Sequence, residues 1–269
     1  MTQRYTNILV TDSRGRGLDD FVGQHLRPIT HDYVIEVLPG RSPAQLIPII
    51  DNIFGRYDRN TSYCVVLAGI CGLTVRSTIN NRQHLRYPLN TRTERVDNVL
   101  TAFRELKRKF GDHINICTII PASLADYHRH FHPDLPLPTH IISEQTALEE
   151  DIIFINRCIS ELNLSVTNIN LASRIQTNSK KKRQRSGSKT VYRRVTKFNY
   201  SQLPDGLHFS ESLRNICFTL ILNTAIKDIQ NLFTPEQQKS DTPNFSDTDT
   251  EQSDSDRDFR RHRRHAINV

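Results

Sequence analysis

Short runs of β-branched and aliphatic residues, each followed by an amphipathic stretch, set the strongest limit on what this chain can fold into. Asn7-Ile-Leu-Val-Thr11, residues 32–38, Ser62-Tyr-Cys-Val-Val-Leu-Ala68 and residues 113–120 are short, apolar and bounded by turn formers, which is the pattern of buried strands. Strands apolar on both sides belong in a parallel sheet covered on both faces, and the intervening segments are long enough for crossover helices. Ser42 reads as a helix cap with Pro43 at the first helical position and Leu46, Ile49, Ile50 and Ile53 on one face; Pro48 is expected to kink or shorten that helix. Residues 94–110 place Val96, Val99, Leu100, Phe103, Leu106 and Phe110 at helical spacing, and Gly111 ends them. Residues 143–162 and 210–233 read as two further helices and residues 164–171 as a fifth strand.

The 269 residues carry 36 Lys/Arg against 29 Asp/Glu, a net charge of +7. Taken whole, that excess suggests a nucleic-acid-binding fold; its location argues otherwise. Residues 174–197 hold ten Lys/Arg and no acidic residue, residues 234–269 hold six basic and eight acidic, and the remainder holds 20 and 21. The body, residues 1–173 and 198–233, is therefore nearly neutral. Residues 174–197 form a basic insertion and residues 234–269 a polar, mixed-charge tail, both expected to be disordered. The run Lys180, Lys181, Lys182, Arg183 and Arg185 suits a nuclear-import receptor or nucleic-acid phosphates, against the plainer reading of a solvated loop. Only Tyr192 is interleaved with these charges, which argues against base stacking. In the tail, Ser246, Thr248, Ser253 and Ser255 each have an acidic residue three places on, a pattern suited to an acid-directed kinase.

No apolar run approaches the roughly 18 residues of a membrane helix, and the first ten residues lack a signal peptide's apolar stretch, so no membrane span and an intracellular setting, cytoplasmic or nuclear, are expected. Cys64, Cys71, Cys117, Cys158 and Cys217 are widely spaced without a C-x-x-C pair and read as reduced core residues. His128-Arg-His130-Phe-His132 resembles a metal-binding tract, but only Asp126 and Asp134 accompany it. Ordinary surface histidines on a loop are expected there, with no metal and no cofactor.

In an open parallel sheet, ligands sit beyond the carboxyl ends of the strands. The first strand runs into Thr11-Asp12-Ser13-Arg14-Gly15, and Ser13 is either a helix cap or, if a histidine reaches it, a nucleophile. Leu203-Pro-Asp205-Gly-Leu-His208-Phe-Ser210 precedes the last helix, with Asp205 placed to accept the Nδ1 proton of His208; the alternative is a polar turn with a surface histidine.

These blocks, in this order, resemble the SGNH hydrolase family, the GDSL lipases and esterases. Two middle blocks add to the likeness: Val37-Leu-Pro-Gly40 after the second strand, and Ala68-Gly69-Ile70-Cys71 after the third. The resemblance implies a three-layer α/β/α fold with a parallel, flavodoxin-like sheet of about five strands. It makes Ser13 the nucleophile, His208 the general base and Asp205 its orienting partner, with the N–H groups of Ser13 and Gly40 holding the oxyanion. The family's third oxyanion donor is an asparagine side chain; Cys71 stands there, and Thr11 replaces the opening glycine. A thiol is a poor donor, and losing one such donor typically costs about 2.7–4 kcal/mol of transition-state stabilisation. Cys71 as a nucleophile in its own right is disfavoured, since it ends an apolar strand with nothing to lower its pKa. Two functions follow from the resemblance: hydrolysis of an ester or acyl ester, impaired by Cys71, or a catalytically inactive SGNH-like binding or assembly module, of the kind some mobile elements encode, contacting nucleic acid through the basic insertion.

Overall fold

The structure, a computed structural model, describes residues 4–25, 31–79, 81–177, 181–186, 189–194 and 196–233. In chain order, β1 (Tyr5–Thr11) leads to α1 (Leu18–His25), β2 (His31–Val37) to α2 (Pro43–Phe54), and β3 (Ser62–Leu67) to the short α3 (Ile70–Leu73). A hairpin of β4 (Val75–Ile79) and β5 (Arg82–Arg86) precedes α4 (Arg92–Phe110) and β6 (Ile114–Ile116). Then come α5 (Leu124–Phe131), α6 (Thr139–Leu162), β7 (Gln176–Thr177), β8 (Lys181–Ser186), β9 (Lys189–Arg194), β10 (Lys197–Phe198) and α7 (Glu211–Phe233).

The main sheet has the order β2-β1-β3-β6, and every pairing in it is parallel. Strand side chains alternate between faces, and here both faces are apolar. Ile8, Val10, Cys64 and Val66 pack into one core with α2, α4 and α6. Leu9, Tyr63, Val65 and Leu67 pack into the other with α1 and α7. The result is the three-layer α/β/α architecture that the alternating pattern implies. α2 starts at the Ser42–Pro43 signal, with the Ser42 N–H donating to Gln45 Oε1 at 2.9 Å, and α4 stops at Gly111, whose φ of +58° suits glycine. Pro48 lies on the exposed side of α2, which continues past it to Phe54.

Among the described residues the sheet has four strands rather than about five, and at the free edge of β6 side-chain amides stand where a fifth strand would bond. The Asn163 amide donates to Ile116 O at 2.7 Å and its Oδ1 accepts from Ile116 N at 3.4 Å, so both edge groups of that residue are occupied. Asn115 Nδ2 donates to Thr167 O at 2.7 Å, and the segment near Ile169 runs beside the sheet without a ladder. Asn156 similarly holds Ile119 N and O, at 2.6 and 2.8 Å, just beyond the end of β6.

The insertion expected to be disordered contains two antiparallel pairings, β7 with β10 and β8 with β9. Its sequence favours this where Thr190, Val191 and Tyr192, all good strand formers, pair with Arg185, Gln184 and Arg183. Lys180 and the tail, residues 234–269 with its four candidate phosphorylation sites, lie outside the described residues. Among the described residues no helix is long and apolar enough to cross a membrane.

Candidate active site

β1 delivers its last residues to the carboxyl edge of the sheet, where Asp12 turns the chain. The Asp12 N–H still bonds Leu67 O at 3.0 Å, while its carboxylate accepts from the Arg14 N–H at 2.9 Å and caps a single 3-10 turn, Ser13–Gly15. That turn is tight. A Cβ on Gly15 would lie 2.0 Å from Thr11 Cγ2, so the glycine that this chain needs is at 15 rather than 11. Burial pushes the Asp12 carboxyl up, opposed by Arg14.

The second block arrives just before α7. Asp205 Oδ1 accepts from the N–H groups of Leu207 and His208, at 2.9 and 2.7 Å, closing a turn by its own side chain. Its other oxygen faces His208 Nδ1 at 2.6 Å, and His208 Nε2 lies 3.2 Å from Ser13 Oγ. Gly206 makes the turn possible: its φ is +76°, and a Cβ would come within 2.4 Å of Ser123 O and Tyr127 N at the start of α5. Burial pushes the Asp205 carboxyl up, but the hydrogen bonds from the His208 ring and from the His208 and Leu207 N–H groups outweigh it and hold the carboxyl well below the usual carboxylate range. The carboxylate is thus charged and aimed at Nδ1, the tautomer that leaves the Nε2 lone pair toward Ser13.

Gly40 sits on the turn after β2 with φ +78° and an open surround. Cys71 lies on α3, and the Gly40 N–H points to its sulfur. The structure therefore brings Ser13, Asp205 and His208 into one hydrogen-bonded chain and sets Cys71 against Gly40. Burial first, then the Asp12 charge, pushes the Cys71 thiol up, which keeps it protonated and a weak nucleophile. All five cysteines are free thiols.

Arg14 is a residue that the sequence reasoning missed. It is 3% exposed, and its guanidinium donates to the carbonyls of Leu207, Ile120 and Pro121. It ties the Ser13 turn to the His208 loop from below. No local signal marks it, because an arginine beside a turn is ordinarily solvent-facing.

The histidine tract is also corrected. His128 to Phe131 belong to α5 rather than to a loop, and His128 and His132 are buried, while His130 alone of the three is exposed. Apolar α5 neighbours such as Leu124 and Tyr127 draw that face of the helix inward.

The sequence matches no family model and no curated protein. The fold is similar to solved structures of a lipase/acylhydrolase from Enterococcus faecalis (14% identity over 81% of this chain and 94% of that one, TM-score 0.46). It is also similar to a psychrotrophic esterase from Pseudoalteromonas sp. (10% identity, 84% and 98%, TM-score 0.42). A third is an alpha/beta hydrolase enzyme from the metagenome of Lake Arreo (11% identity, 86% and 98%, TM-score 0.44). These are likenesses of overall form at low identity.

Proposed function

We propose that this chain is a divergent SGNH-type serine hydrolase that cleaves an ester or acyl ester, with Ser13 as nucleophile, His208 as general base and Asp205 holding His208 in register. The observation that carries this reading is the continuous hydrogen-bonded chain from Asp205 through His208 to Ser13, closed between residues 195 positions apart. An unaided serine hydroxyl is a poor nucleophile at neutral pH, and a histidine at this distance relieves that deficit.

Ser13 Oγ attacks the ester carbonyl as its proton passes to His208 Nε2, and the Nδ1 proton stays with the Asp205 hydrogen bond. The C–O bond to the alcohol then breaks, and the leaving oxygen takes the proton back from Nε2. A water, deprotonated by the same nitrogen, releases the acyl group and restores Ser13. The oxyanion is received by the N–H of Ser13, while the N–H of Gly40, the second donor of the resemblance, is turned to the Cys71 sulfur, and the thiol is itself a poor donor, so turnover is slow for an enzyme of this kind.

A second reading, a catalytically silent binding module, is favoured by that same Cys71. In it the basic segment 174–197, with its run at 180–185, supplies the contact to nucleic acid or to an import receptor. Release of p-nitrophenol from p-nitrophenyl acetate separates the two. The hydrolase reading expects wild-type turnover above the buffer rate and its loss in Ser13→Ala; equal rates for the two proteins overturn it in favour of the binding module.

A further inference from the structure

His128 lies in the last turn of α5, and His132 follows as the residue that ends the helix, its N–H bonding His128 O at 2.7 Å. β5 packs against this helix and contributes His84. The His84 and His132 ring centroids are 4.3 Å apart and those of His128 and His132 4.8 Å, and each histidine offers one nitrogen within 4.8 Å of the other two.

The protonation pattern of the two buried rings decides what they offer. His132 Nε2 meets the Gln83 carbonyl at 2.7 Å, and the His128 ring faces the backbone carbonyls of Leu135 and Pro136. A carbonyl only accepts, so the proton of each ring sits on the nitrogen that faces it. His128 Nε2 and His132 Nδ1 are left buried without a hydrogen-bond partner. Buried polar nitrogens in native proteins are nearly always satisfied, and two orphaned lone pairs in one cluster call for a common partner. Histidines that hold a metal show this same division, one nitrogen to a carbonyl and the other to the ion.

We propose that His84, His128 and His132 bind one divalent cation of the zinc class, with a fourth position open to water. Three neutral imidazoles without a carboxylate or thiolate suit zinc, cobalt, nickel or copper and not magnesium or calcium. Nitrogens around tetrahedral zinc stand about 3.3 Å apart at Zn–N distances of about 2.0–2.1 Å. The three nitrogens lie within 4.8 Å of one another, so binding an ion would require the partly exposed His84 to swing inward. The ion would clamp the β4–β5 hairpin to α5, the helix whose first turn receives the Gly206 loop through Ser123 N and Gly206 O at 2.7 Å. The site stands whether or not Ser13 is active.

The test is a titration of the full chain, stripped with chelator, with Co2+ alone and then with Zn2+ in competition. One saturating equivalent with the visible absorption of tetrahedral cobalt, displaced by Zn2+, is expected in the wild type and in His130→Gln. His84→Gln, at the partly exposed position, is expected to weaken binding about tenfold or more while the far-UV circular dichroism stays unchanged, and His132→Gln to do the same. A wild type that takes up no stoichiometric Co2+, or binding that His84→Gln and His132→Gln leave intact, overturns the site.

Discussion

Arg14 Nε donates a hydrogen bond to the carbonyl oxygen of Leu207 at 3.1 Å, which joins the turn carrying Ser13 to the residue immediately before His208. The same guanidinium reaches Ile120 O and Pro121 O, and lies 5.5 Å from the Phe209 ring centroid. One buried guanidinium thus ties together the two chain segments whose side chains, Ser13 and His208, meet at 3.2 Å. Arg14→Met leaves three carbonyls without their donor and is expected to lower stability by on the order of 3 kcal/mol, read from the urea midpoint. Arg14→Lys keeps the charge without the planar fork and is expected to recover only part of the loss, with kcat falling more than KM rises.

Asp205 predicts a pH dependence. Its carboxyl lies below the usual range in the folded chain, so its contribution to stability is complete above the ordinary aspartate pKa and is lost as pH falls through that value toward the folded one. Asp205→Asn should be less stable than wild type at pH 7, and the gap should close as unfolding is measured at pH 4 and below. A gap that widens in acid contradicts the assignment of Asp205 as a charged acceptor. In the same variant, kcat should fall about 10³–10⁴-fold, because the amide no longer selects the Nδ1–H tautomer.

The alternation of strand and helix was legible because Ile8, Leu9 and Val10, and likewise Cys64, Val65 and Val66, are apolar on both sides of the sheet. The expected fifth strand was not, because its failure depends on single amides, Asn163 and Asn115, whose partners lie about fifty residues away. The β4–β5 hairpin also escapes a reading of periodicity, since Arg76, Arg82 and Arg86 interrupt any apolar pattern. Ser13, Asp205 and His208 stand out because each sits in local turn chemistry that leaves a mark in the sequence. Arg14 leaves none, because its burial is decided by segments remote in the chain; His128 and His132 show as a histidine-rich run, but neither their burial nor the approach of His84 from β5 is written in it.

Cys71 offers a change in the opposite direction. The Gly40 N–H now points to its sulfur, where the resemblance places an amide that donates to the oxyanion. Cys71→Asn is expected to raise kcat toward p-nitrophenyl acetate by about 10²-fold, approaching the value of one oxyanion donor. A kcat that is unchanged or lower shows that the pocket is not shaped for the third donor.

The most direct test of the account is covalent. A fluorophosphonate probe reacts only with a serine whose hydroxyl is activated by a neighbouring base. Incubated with the full chain and mapped by mass spectrometry, it should add one label on Ser13, absent in Ser13→Ala and strongly reduced in His208→Ala. A wild-type chain that stays unlabelled, or that is labelled elsewhere and equally in Ser13→Ala, contradicts the claim that Ser13, His208 and Asp205 form a working nucleophile.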